Sequence, residues 1–312
     1  MYIDILLIIA GFTSLYFGSN WLVNGAVRIS NHLHIPKVIV GILLVAFGTS
    51  APELFVNLIA AWHNKTNFVL TNVAGSNLTN LLIGFGLCAF FGKLIIERKR
   101  FWIDLLFFAS VPFIIVLLLL ISNQEFLPLY GAAVLFSVMA LYFITAGQRN
   151  YFPEEQHEAR GKLISGIALF LLGILFLYGG GELVIKSAVN IGLFLGISEK
   201  ILGLTVVAFG TSIPDVMASI AAIRKGENSI AVGNILGSNI FNILFVLGGT
   251  LIVSWTNINS DLYIFVDFLM VSLLSALFIG IALKKEFVSK YIGGIFIITF
   301  LVYMAFRVIY SS

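Results

Sequence analysis

Residues 45–53 have the sequence VAFGTSAPE and residues 207–215 have the sequence VAFGTSIPD, so seven of nine positions are identical. Each copy lies in a long apolar stretch, contains a proline and ends in a carboxylate. The same separation of 162 residues aligns NVAGSNLTNLL at 72–82 with NILGSNIFNIL at 234–244, which share six of eleven positions. Agreement at one separation without insertions indicates an internal duplication of the chain.

The composition predicts a polytopic membrane protein. Of the 312 residues, 60% are hydrophobic and only 11% are charged, whereas a soluble domain carries about 25% charged residues. The apolar runs recur at about 20 residues, the length of a helix that crosses a bilayer. The N-terminal sequence MYIDILLIIAG lacks a basic region, so we expect a retained first helix rather than a cleaved signal. A lone cysteine, Cys88, makes cysteine-based metal clusters unexpected.

The apolar runs between polar breaks predict ten membrane-spanning helices. Their expected ranges are 2–31, 37–62, 68–90, 101–122, 127–146, 163–192, 200–224, 230–255, 260–283 and 291–310. The predicted fold class is therefore an all-α polytopic membrane protein.

The predicted helices fall into two repeats. The first five-helix repeat covers 1–146, with its duplicated motif at 41–86, and the second covers 163–312, with its motif at 203–248. A short polar linker at 147–162 joins them. Because five crossings are an odd number, the second repeat enters the membrane from the opposite side, the architecture of many secondary transporters. Helices 2, 3, 7 and 8 carry the duplicated motifs and are predicted to form an ion-binding core.

The basic residues predict the orientation of the chain. With the N-terminus outside, one side of the membrane collects fourteen of the 18 Lys and Arg residues. These are Arg28, Lys37, Lys93, Arg98, Lys99, Arg100, Arg149, Arg160, Lys162, Arg224, Lys225, Lys284, Lys285 and Lys290. Basic residues accumulate in cytoplasmic loops, so we expect both termini outside and the linker in the cytoplasm, in the plasma (inner) membrane of a prokaryote.

The prolines predict breaks in helices 2 and 7. Proline lacks an N–H group and clashes with the carbonyl group four residues earlier, so Pro52 and Pro214 are expected to disrupt these helices near Gly48 and Gly210. Carbonyl groups freed in this way are tolerated in a membrane only where they are buried in protein or line a polar cavity. The alternative is a simple kink in a packed helix. Duplication, with a carboxylate after each proline, favours an ion site.

Glu53 and Asp215 are the carboxylates expected nearest the middle of the membrane, where an ionised carboxylate needs compensation. The alternatives to a bound cation are a protonated, hydrogen-bonded acid or an ion pair with a basic residue. No Lys or Arg lies at comparable depth in either motif helix.

Other polar residues of the duplicated motifs also recur at helical spacing. Hydroxyl groups lie four and three residues before each carboxylate, at Thr49, Thr211, Ser50 and Ser212, and are expected to share its helix face. Ser76 and Asn80 are four residues apart, as are Ser238 and Asn242. With no thiolate or imidazole, this oxygen inventory selects hard cations and suits Ca²⁺ better than Mg²⁺. Two carboxylates balance one Ca²⁺, and the additional oxygens are suited to Na⁺.

Charged residues outside the duplicated motifs receive simpler interpretations. Glu182 and Lys186 are four residues apart and predict a local ion pair rather than a transport role. Asp104 and Asp267 are expected nearer helix ends. Helices 4, 5, 9 and 10 show no polar constellation in the sequence and are interpreted as scaffold.

The duplicated motifs resemble those of a known family. GTSAPE with GSNLTN, repeated as GTSIPD with GSNIFN, is similar to the paired α-repeats of sodium/calcium exchangers in the calcium/cation antiporter superfamily. The resemblance implies electrogenic exchange of Na⁺ for Ca²⁺, with Glu53 and Asp215 as central ligands together with Thr49 and Thr211. It further implies flanking Na⁺ positions formed by Ser50, Ser212, Ser76, Ser238 and the carbonyl groups of Ala46 and Ala208, and central positions for Asn80 and Asn242.

Three positions bear on the subtype. The potassium-dependent branch usually has Asp where this sequence has Asn242, so the amide resembles the potassium-independent branch. Thr71 replaces the Gly expected from Gly233, and Asn57 replaces the Ser found at Ser219. These departures are expected to alter packing or Na⁺ affinity in the first repeat.

Other functions remain open at this level. An H⁺/Ca²⁺ exchanger and a potassium-dependent Na⁺/Ca²⁺ exchanger are alternatives within the same class. A passive cation channel and an intramembrane aspartyl protease that uses Glu53 and Asp215 are alternatives from other classes. For the favoured antiporter we expect no cofactor, Na⁺ and Ca²⁺ as substrates, membrane lipid as surroundings, and neither a nucleic-acid nor a protein partner.

Overall fold

A computed structural model describes residues 2–63, 65–147, 162–196, 208–284 and 287–310. The helices of the first half are α1 (Tyr2–Leu33), α2 (Lys37–Thr49), α3 (Ala51–Trp62), α4 (Thr66–Leu78, Thr79–Gly84 and Phe85–Phe91 in succession), α5 (Arg98–Ile121) and α6 (Gly131–Gly147). Those of the second half are α7 (Leu163–Phe194), α8 (Ala208–Thr211), α9 (Ile213–Arg224), α10 (Asn228–Phe241, Asn242–Leu247 and Gly248–Ser254 in succession), α11 (Leu262–Lys284) and α12 (Lys290–Tyr310).

Three of these helices contain a wider π-helical turn. The π-helical residues are Val40–Val45 in α2, Thr79–Gly84 in α4 and Asn242–Leu247 in α10. Such turns insert an extra residue into the helix and are frequent at functional sites.

Four two-residue strands form two small antiparallel sheets. They are β1 (Leu94–Ile95), β2 (Phe126–Leu127), β3 (Ile258–Asn259) and β4 (Phe287–Val288). β1 pairs with β4, and β2 pairs with β3. Because β1 precedes α5 and β2 follows it, while β3 precedes α11 and β4 follows it, the two sheets lie at opposite ends of α5 and α11. The sheets therefore hold these two helices antiparallel.

The helices divide into a buried centre and an apolar periphery. Most residues in the apolar windows of α4 and α10 are buried, whereas fewer than a third of those of α1, α7 and α12 are buried. The exposed faces carry large apolar side chains such as Leu6, Leu175 and Ile298. An apolar outer surface around a buried polar centre is what a bilayer requires of a protein.

Seven of the described helices are long and apolar enough to cross a membrane, and α2 with α3 makes an eighth if the bent pair counts as one span. Two of the ten predicted spans, the fifth and the seventh, do not appear as single long helices among the described residues. Strand β2 occupies the beginning of the fifth predicted span, which leaves the shorter helix α6. The seventh prediction, 200–224, lies partly outside the described residues, and its described part consists of α8 and α9.

Both prolines lie in the first turn of a new helix rather than inside a kinked one. α2 ends at Thr49, α3 begins at Ala51, and the two axes are bent by 43°. In the second half the corresponding break falls at Ser212. The sequence predicted these breaks near Gly48 and Gly210. The observed breaks lie two residues later, because proline is well tolerated at the start of a helix but not within one.

Glycine residues bring two pairs of helices into backbone contact. A Cβ atom added to Gly18 of α1 would lie 2.8 Å from the nitrogen of Leu177 in α7, and one added to Gly173 would lie 2.5 Å from the nitrogen of Leu22. A Cβ atom at Gly237 of α10 would lie 2.8 Å from the carbonyl oxygen of Ile42 in α2. Small residues allow such close approach between helices. The contact of α2 with α10 joins the two halves beside the duplicated motifs.

Candidate ion-binding site

The two carboxylates of the duplicated motifs occupy equivalent places. Glu53 is the third residue of α3, and Asp215 is the third residue of α9. Both side chains are almost completely buried. A carboxylate in the first turn of a helix is stabilised by the partial positive charge of the helix N-terminus. The two groups also lie close enough to repel one another when ionised, so a cation between them would relieve the repulsion.

Glu53 is contacted by hydroxyl groups from the second half of the chain. The Ser212 hydroxyl group donates to Glu53 Oε1 over 3.4 Å, and Thr211 also interacts with this carboxylate. Ser212 occupies the break between α8 and α9. The other carboxylate oxygen, Glu53 Oε2, is buried and has no hydrogen-bond partner within the described part of the chain.

Asp215 is surrounded by donors from both halves. Asn80 Nδ2 donates to Asp215 Oδ2 over 2.7 Å, and Ser238 Oγ donates to Asp215 Oδ1 over 2.9 Å. Thr49 of the first half also interacts with this carboxylate. Asp215 is therefore held more firmly than Glu53.

The hydroxyl groups also interact with the carboxylate of the opposite half, a pairing that spacing along one helix does not predict. Thr49 interacts with Asp215, and Thr211 interacts with Glu53. The site is consequently assembled crosswise from the two halves.

The serine and asparagine residues of the second motif also meet at the centre. Ser76 Oγ lies 3.4 Å from Thr211 Oγ1. Asn80 and Asn242 both lie in π-helical turns, and Asn242 is completely buried. Neither the nitrogen nor the oxygen of the Asn242 amide group has a hydrogen-bond partner among the described residues.

The two alanines predicted to contribute carbonyl groups begin the short segments before the breaks. Ala46 is the first residue after the π-helical turn of α2, and Ala208 is the first residue of α8. The Ala46 carbonyl oxygen accepts hydrogen bonds from the backbone nitrogen of Ser50 over 2.9 Å and from Thr49 Oγ1 over 3.3 Å. Ligation of a cation by these carbonyl groups stays a prediction.

Several of the buried oxygen atoms that lack hydrogen-bond partners belong to predicted ligands of this site. Across the described ranges, hydrogen-bond partners are missing for Ser50 Oγ, Glu53 Oε2, Asn80 Oδ1 and Asn242 Oδ1. A buried polar atom without a partner costs about 1–3 kcal/mol, so four oxygens together require something to bind. All four are neutral or anionic acceptors, the ligands that Ca²⁺ and Na⁺ prefer.

No group of three or more His, Cys, Asp or Glu side chains that could hold a metal ion occurs in the described residues. The candidate site instead combines two carboxylates with hydroxyl and amide oxygens. Few formal charges around many neutral oxygens suit a cation that binds and leaves.

Asn234 is a residue of the site that the sequence interpretation missed. Its Nδ2 atom donates to the carbonyl oxygen of Asp215 over 3.0 Å, and its Oδ1 atom accepts from Thr49 Oγ1 over 3.1 Å. The signal was available, because Asn72 and Asn234 head the second duplicated segment. Helical spacing does not identify their role, because the contacts of Asn234 join separate segments of the chain.

Polar contacts join α5 to α6 and α11 to α12, although the sequence shows no polar constellation in these helices. The Tyr142 hydroxyl group donates to Asp104 over 2.8 Å, between α5 and α6. The Tyr303 hydroxyl group donates to Asp267 over 3.0 Å, and Arg307 pairs with Asp267 over 3.0 Å, between α11 and α12. Hydropathy missed these contacts because each helix contributes only one or two polar residues. Both aspartates lie near helix ends, as predicted.

The ion pair predicted between Glu182 and Lys186 is confirmed. Their Oε1 and Nζ atoms are 2.8 Å apart on an exposed face of α7. This pair lies on the surface and leaves the two motif carboxylates without a basic partner from α7.

A buried oxygen site between broken helices of a membrane-embedded bundle defines a cation transporter rather than an enzyme. The model of the sodium/calcium exchanger protein family matches residues 3–147 and 165–309. The chain belongs to this family. Its members transport Na⁺ and Ca²⁺ as substrates and need no cofactor, and the chain is accordingly an antiporter of Ca²⁺ and another cation.

Individual relatives agree with this assignment. CaxA of Alkalimonas amylolytica is 31% identical over 97% of this chain and 98% of its own length. The sodium/calcium exchanger MaX1 of Methanosarcina acetivorans is 27% identical over 79% of this chain and 82% of its own length. A solved structure of the sodium-calcium exchanger NCX_Mj, soaked with 2.5 mM Na⁺ and 1 mM Sr²⁺, aligns with a TM-score of 0.81 and 26% identity over 97% of each chain.

Proposed function

We propose that the chain exchanges Na⁺ for Ca²⁺ across the membrane by alternating access, that the exchange is electrogenic, and that it is independent of K⁺. The observation that carries the proposal is the set of unpaired, buried oxygen atoms around Glu53 and Asp215. Two carboxylates balance the charge of one Ca²⁺, and an oxygen shell of this size also accommodates Na⁺. Competition for shared ligands would couple the two ions.

In this proposal the ligands divide by position. Central ligands for Ca²⁺ are Glu53, Asp215, Thr49 and Thr211, with Asn80 and Asn242 beside them. Flanking Na⁺ positions use Ser50, Ser212, Ser76, Ser238 and the carbonyl groups of Ala46 and Ala208. The crosswise contacts of Ser212 with Glu53 and of Asn80 with Asp215 support a shared site.

We also propose that the two halves form an inverted repeat with five spans each, 1–146 and 163–312, joined by a linker at 147–162. The small sheets support this relation. Exchanging the halves turns β1 into β3 and β2 into β4, which converts the pairing of β1 with β4 into that of β3 with β2. Such a symmetry exchanges the two ends of the molecule, as alternating access requires.

The contacts between loops support the orientation proposed for the membrane. Lys37 pairs with Glu227 over 2.7 Å, and the backbone nitrogen of Ile95 donates to Asn228 over 3.2 Å. Strand pairing brings β1 and β4 to the same end. These contacts gather segments from the basic side at one end of the molecule. We place that end, with the linker, in the cytoplasm of a prokaryotic plasma membrane and both termini outside.

Transport in reconstituted vesicles tests the function. Vesicles loaded with Na⁺ and diluted into Na⁺-free medium should accumulate ⁴⁵Ca²⁺ without K⁺, and an imposed membrane potential should change the rate. Uptake driven only by a pH gradient would establish an H⁺/Ca²⁺ exchanger instead. Downhill flux without counter-transport would establish a channel.

Two isosteric substitutions provide the controls. Glu53→Gln and Asp215→Asn each remove one charge while keeping the shape of the side chain, so both should lower Ca²⁺ exchange at least about a hundredfold, a loss of about 3 kcal/mol. Both variants should remain folded by size-exclusion chromatography. Unchanged transport in both would contradict the assigned site.

A further inference from the structure

Asn72 and Asn234 occupy equivalent positions in the two halves but differ in their hydrogen bonds. Asn234 is completely buried in α10 and is fully hydrogen-bonded. Asn72 lies 162 residues earlier in α4 and is equally buried, yet neither of its amide atoms has a partner among the residues that the structure describes. The asparagine side chain therefore joins neighbouring segments by hydrogen bonds in the second half but not in the first.

The orientation of the Asn234 amide group is fixed by its donors. Nδ2 donates to the carbonyl oxygen of Asp215 over 3.0 Å and to Ser219 Oγ over 2.9 Å. Rotating the amide group by half a turn would place its oxygen against the Asp215 carbonyl oxygen, and two acceptors repel. Oδ1 consequently faces Thr49 of the first half, at 3.1 Å from Thr49 Oγ1.

Thr49 has one hydroxyl hydrogen and four acceptors nearby, one of which is the Asp215 carboxylate. The other three are the carbonyl oxygen of Val45 at 2.9 Å, Asn234 Oδ1 at 3.1 Å and the carbonyl oxygen of Ala46 at 3.3 Å. A hydroxyl group donates one hydrogen bond at a time. When Thr49 donates to Asn234, both carbonyl groups lose that donor and their lone pairs become available to a cation. Asn234 thus competes with the backbone of α2 and with the Asp215 carboxylate for this proton.

The substitution at position 57 explains why Asn72 lacks equivalent contacts. In the second half, Ser219 Oγ donates to the Asp215 carbonyl oxygen over 2.9 Å and accepts from Asn234. In the first half, Asn57 Nδ2 donates to the Glu53 carbonyl oxygen over 2.7 Å. An amide nitrogen donates but does not accept hydrogen bonds. Asn57 Nδ2 therefore cannot accept a hydrogen bond from Asn72 as Ser219 Oγ accepts one from Asn234. Asn57 Oδ1 is also left unpaired within the described residues.

We propose that Asn234 is a positioning residue that directs the Thr49 hydroxyl group in the ion site, and that Asn57 has disconnected its counterpart, Asn72. The proposal rests on the proposed function, since it assigns Asn234 an effect on ion affinity. One half of the site is preorganised through this connection, and the other half is not. The affinity of the site for Ca²⁺ consequently depends on Asn234 and not on Asn72.

Matched alanine variants of the full-length protein test this difference. Asn234→Ala should raise the half-saturating Ca²⁺ concentration about tenfold, as expected for the loss of hydrogen bonds in a buried network, while the maximal rate changes less than about twofold. Asn72→Ala removes the same atoms from the same depth and should leave both values unchanged. Equal effects of the two variants would overturn the proposal.

A double-mutant cycle tests whether Asn234 acts through Thr49. Thr49→Val removes the hydroxyl group and keeps the shape, so adding Asn234→Ala to Thr49→Val should raise the half-saturating Ca²⁺ concentration little further. Fully additive effects would show that Asn234 acts by another route and would overturn the proposal.

The substitution Asn57→Ser tests the disconnection without altering Asn234. It restores a hydroxyl group that both donates and accepts, so Asn72→Ala should raise the half-saturating Ca²⁺ concentration in the Asn57→Ser protein although it has no effect in the original one. Absence of this interaction would overturn the assignment of Asn57, even if Asn234→Ala failed to fold.

Equilibrium ⁴⁵Ca²⁺ binding to the detergent-purified variants separates the two hypotheses. If the unsubstituted protein binds Ca²⁺ but shows no uptake driven by Na⁺, the proposed exchange fails while the comparison of Asn234 with Asn72 still stands. If exchange is present and the two asparagines behave alike in binding, only the inference about Asn234 fails.

Discussion

Asn242 is completely buried at the first residue of the π-helical turn in α10, and its amide atoms lack partners within the described ranges. A carboxylate at this position would add a third negative charge to a site that already contains Glu53 and Asp215. Burial of an additional charge requires an additional cation or a proton. In the proposed site, residue 242 would therefore control how much positive charge must bind.

We predict that Asn242→Asp makes Ca²⁺ exchange dependent on K⁺. Uptake of ⁴⁵Ca²⁺ driven by Na⁺ should rise at least about threefold when K⁺ is added to vesicles with this variant, since a second cation would offset the new charge, a gain of about 0.7 kcal/mol. The unsubstituted protein should show no such increase.

The same change at Asn239 is the control for Asn242→Asp. Asn239 lies on the same helix, and its Nδ2 atom donates to the carbonyl oxygen of Ile235 over 2.8 Å. Asn239→Asp should not confer dependence on K⁺. If K⁺ leaves Asn242→Asp unaffected, the assignment of position 242 as the determinant is wrong.

For individual residues, the sequence predicted which side chains form a buried polar cluster but not which of them contact one another. The spacing predicts that Thr49 and Thr211 share a helix face with Glu53 and Asp215 of their own halves, but it does not predict that each also interacts with the other carboxylate. Pairing depends on the direction of the chain after the break, and spacing along a helix does not supply it. Asn234 was missed because its contacts join three separate segments.

At the scale of secondary structure, α2 and α10 cross at a distance that only glycine permits. A Cβ atom on Gly237 would lie 2.8 Å from both the Ile42 carbonyl oxygen and the Ala46 Cβ atom. Backbone and a methyl group cannot move aside as the end of a flexible side chain can. The crossing lies next to Ser238 and Ala46, so its distance affects the spacing of the predicted ligands.

We predict that Gly237→Ala destabilises the protein by about 1–3 kcal/mol, because it overpacks a rigid contact, and lowers the rate of Ca²⁺ exchange. Thermal unfolding in detergent and vesicle uptake would measure the two effects. Gly249 lies in the same helix, and no atom lies within 4 Å of a Cβ atom built on it. Gly249→Ala should leave stability and transport nearly unchanged, and a similar loss in both variants would contradict the argument.

Among the elements, hydropathy predicted most of the long helices to within a few residues. It did not predict the π-helical turns, because one extra residue in a helical turn does not change the hydropathy of a continuous apolar run. The strands were also missed, since two residues are too few to show alternation. The fifth span was predicted to begin at residue 127, but strand β2 occupies that position and the helix begins at Gly131.

At the scale of the whole molecule, α5 provides a direct test of orientation. Glu97 precedes the helix beside β1 and Glu125 follows it beside β2, and both residues are exposed. The proposed topology places Glu97 in the cytoplasm and Glu125 outside. The native Cys88 is buried and can be replaced by alanine to give a background without cysteine.

We predict that a membrane-impermeant maleimide added to intact cells labels Glu125→Cys and does not label Glu97→Cys. Permeabilised cells should give labelling of both, which serves as the control for reactivity. The reverse pattern in intact cells would invert the orientation inferred from the basic residues.

The duplicated sequence predicted that two halves of the chain would share one site, and the crosswise contacts agree with this. Sequence could not specify which surfaces of the halves meet. That information lies in tertiary contacts such as Gly237 against Ile42 and Lys37 with Glu227, whose members are far apart in the chain.

The two small sheets have a consequence for biosynthesis. The partner of β1 is β4, so a ribosome has made most of the chain before the backbone groups of β1 find their hydrogen bonds. Until then, an early intermediate holds Glu53 in an incomplete shell and leaves a strand edge unpaired. Contacts between distant segments form slowly and expose such intermediates to aggregation. Closure of the β1–β4 sheet is thus a late event in assembly, and nascent chains that stop before Phe287 should be substrates for membrane quality control.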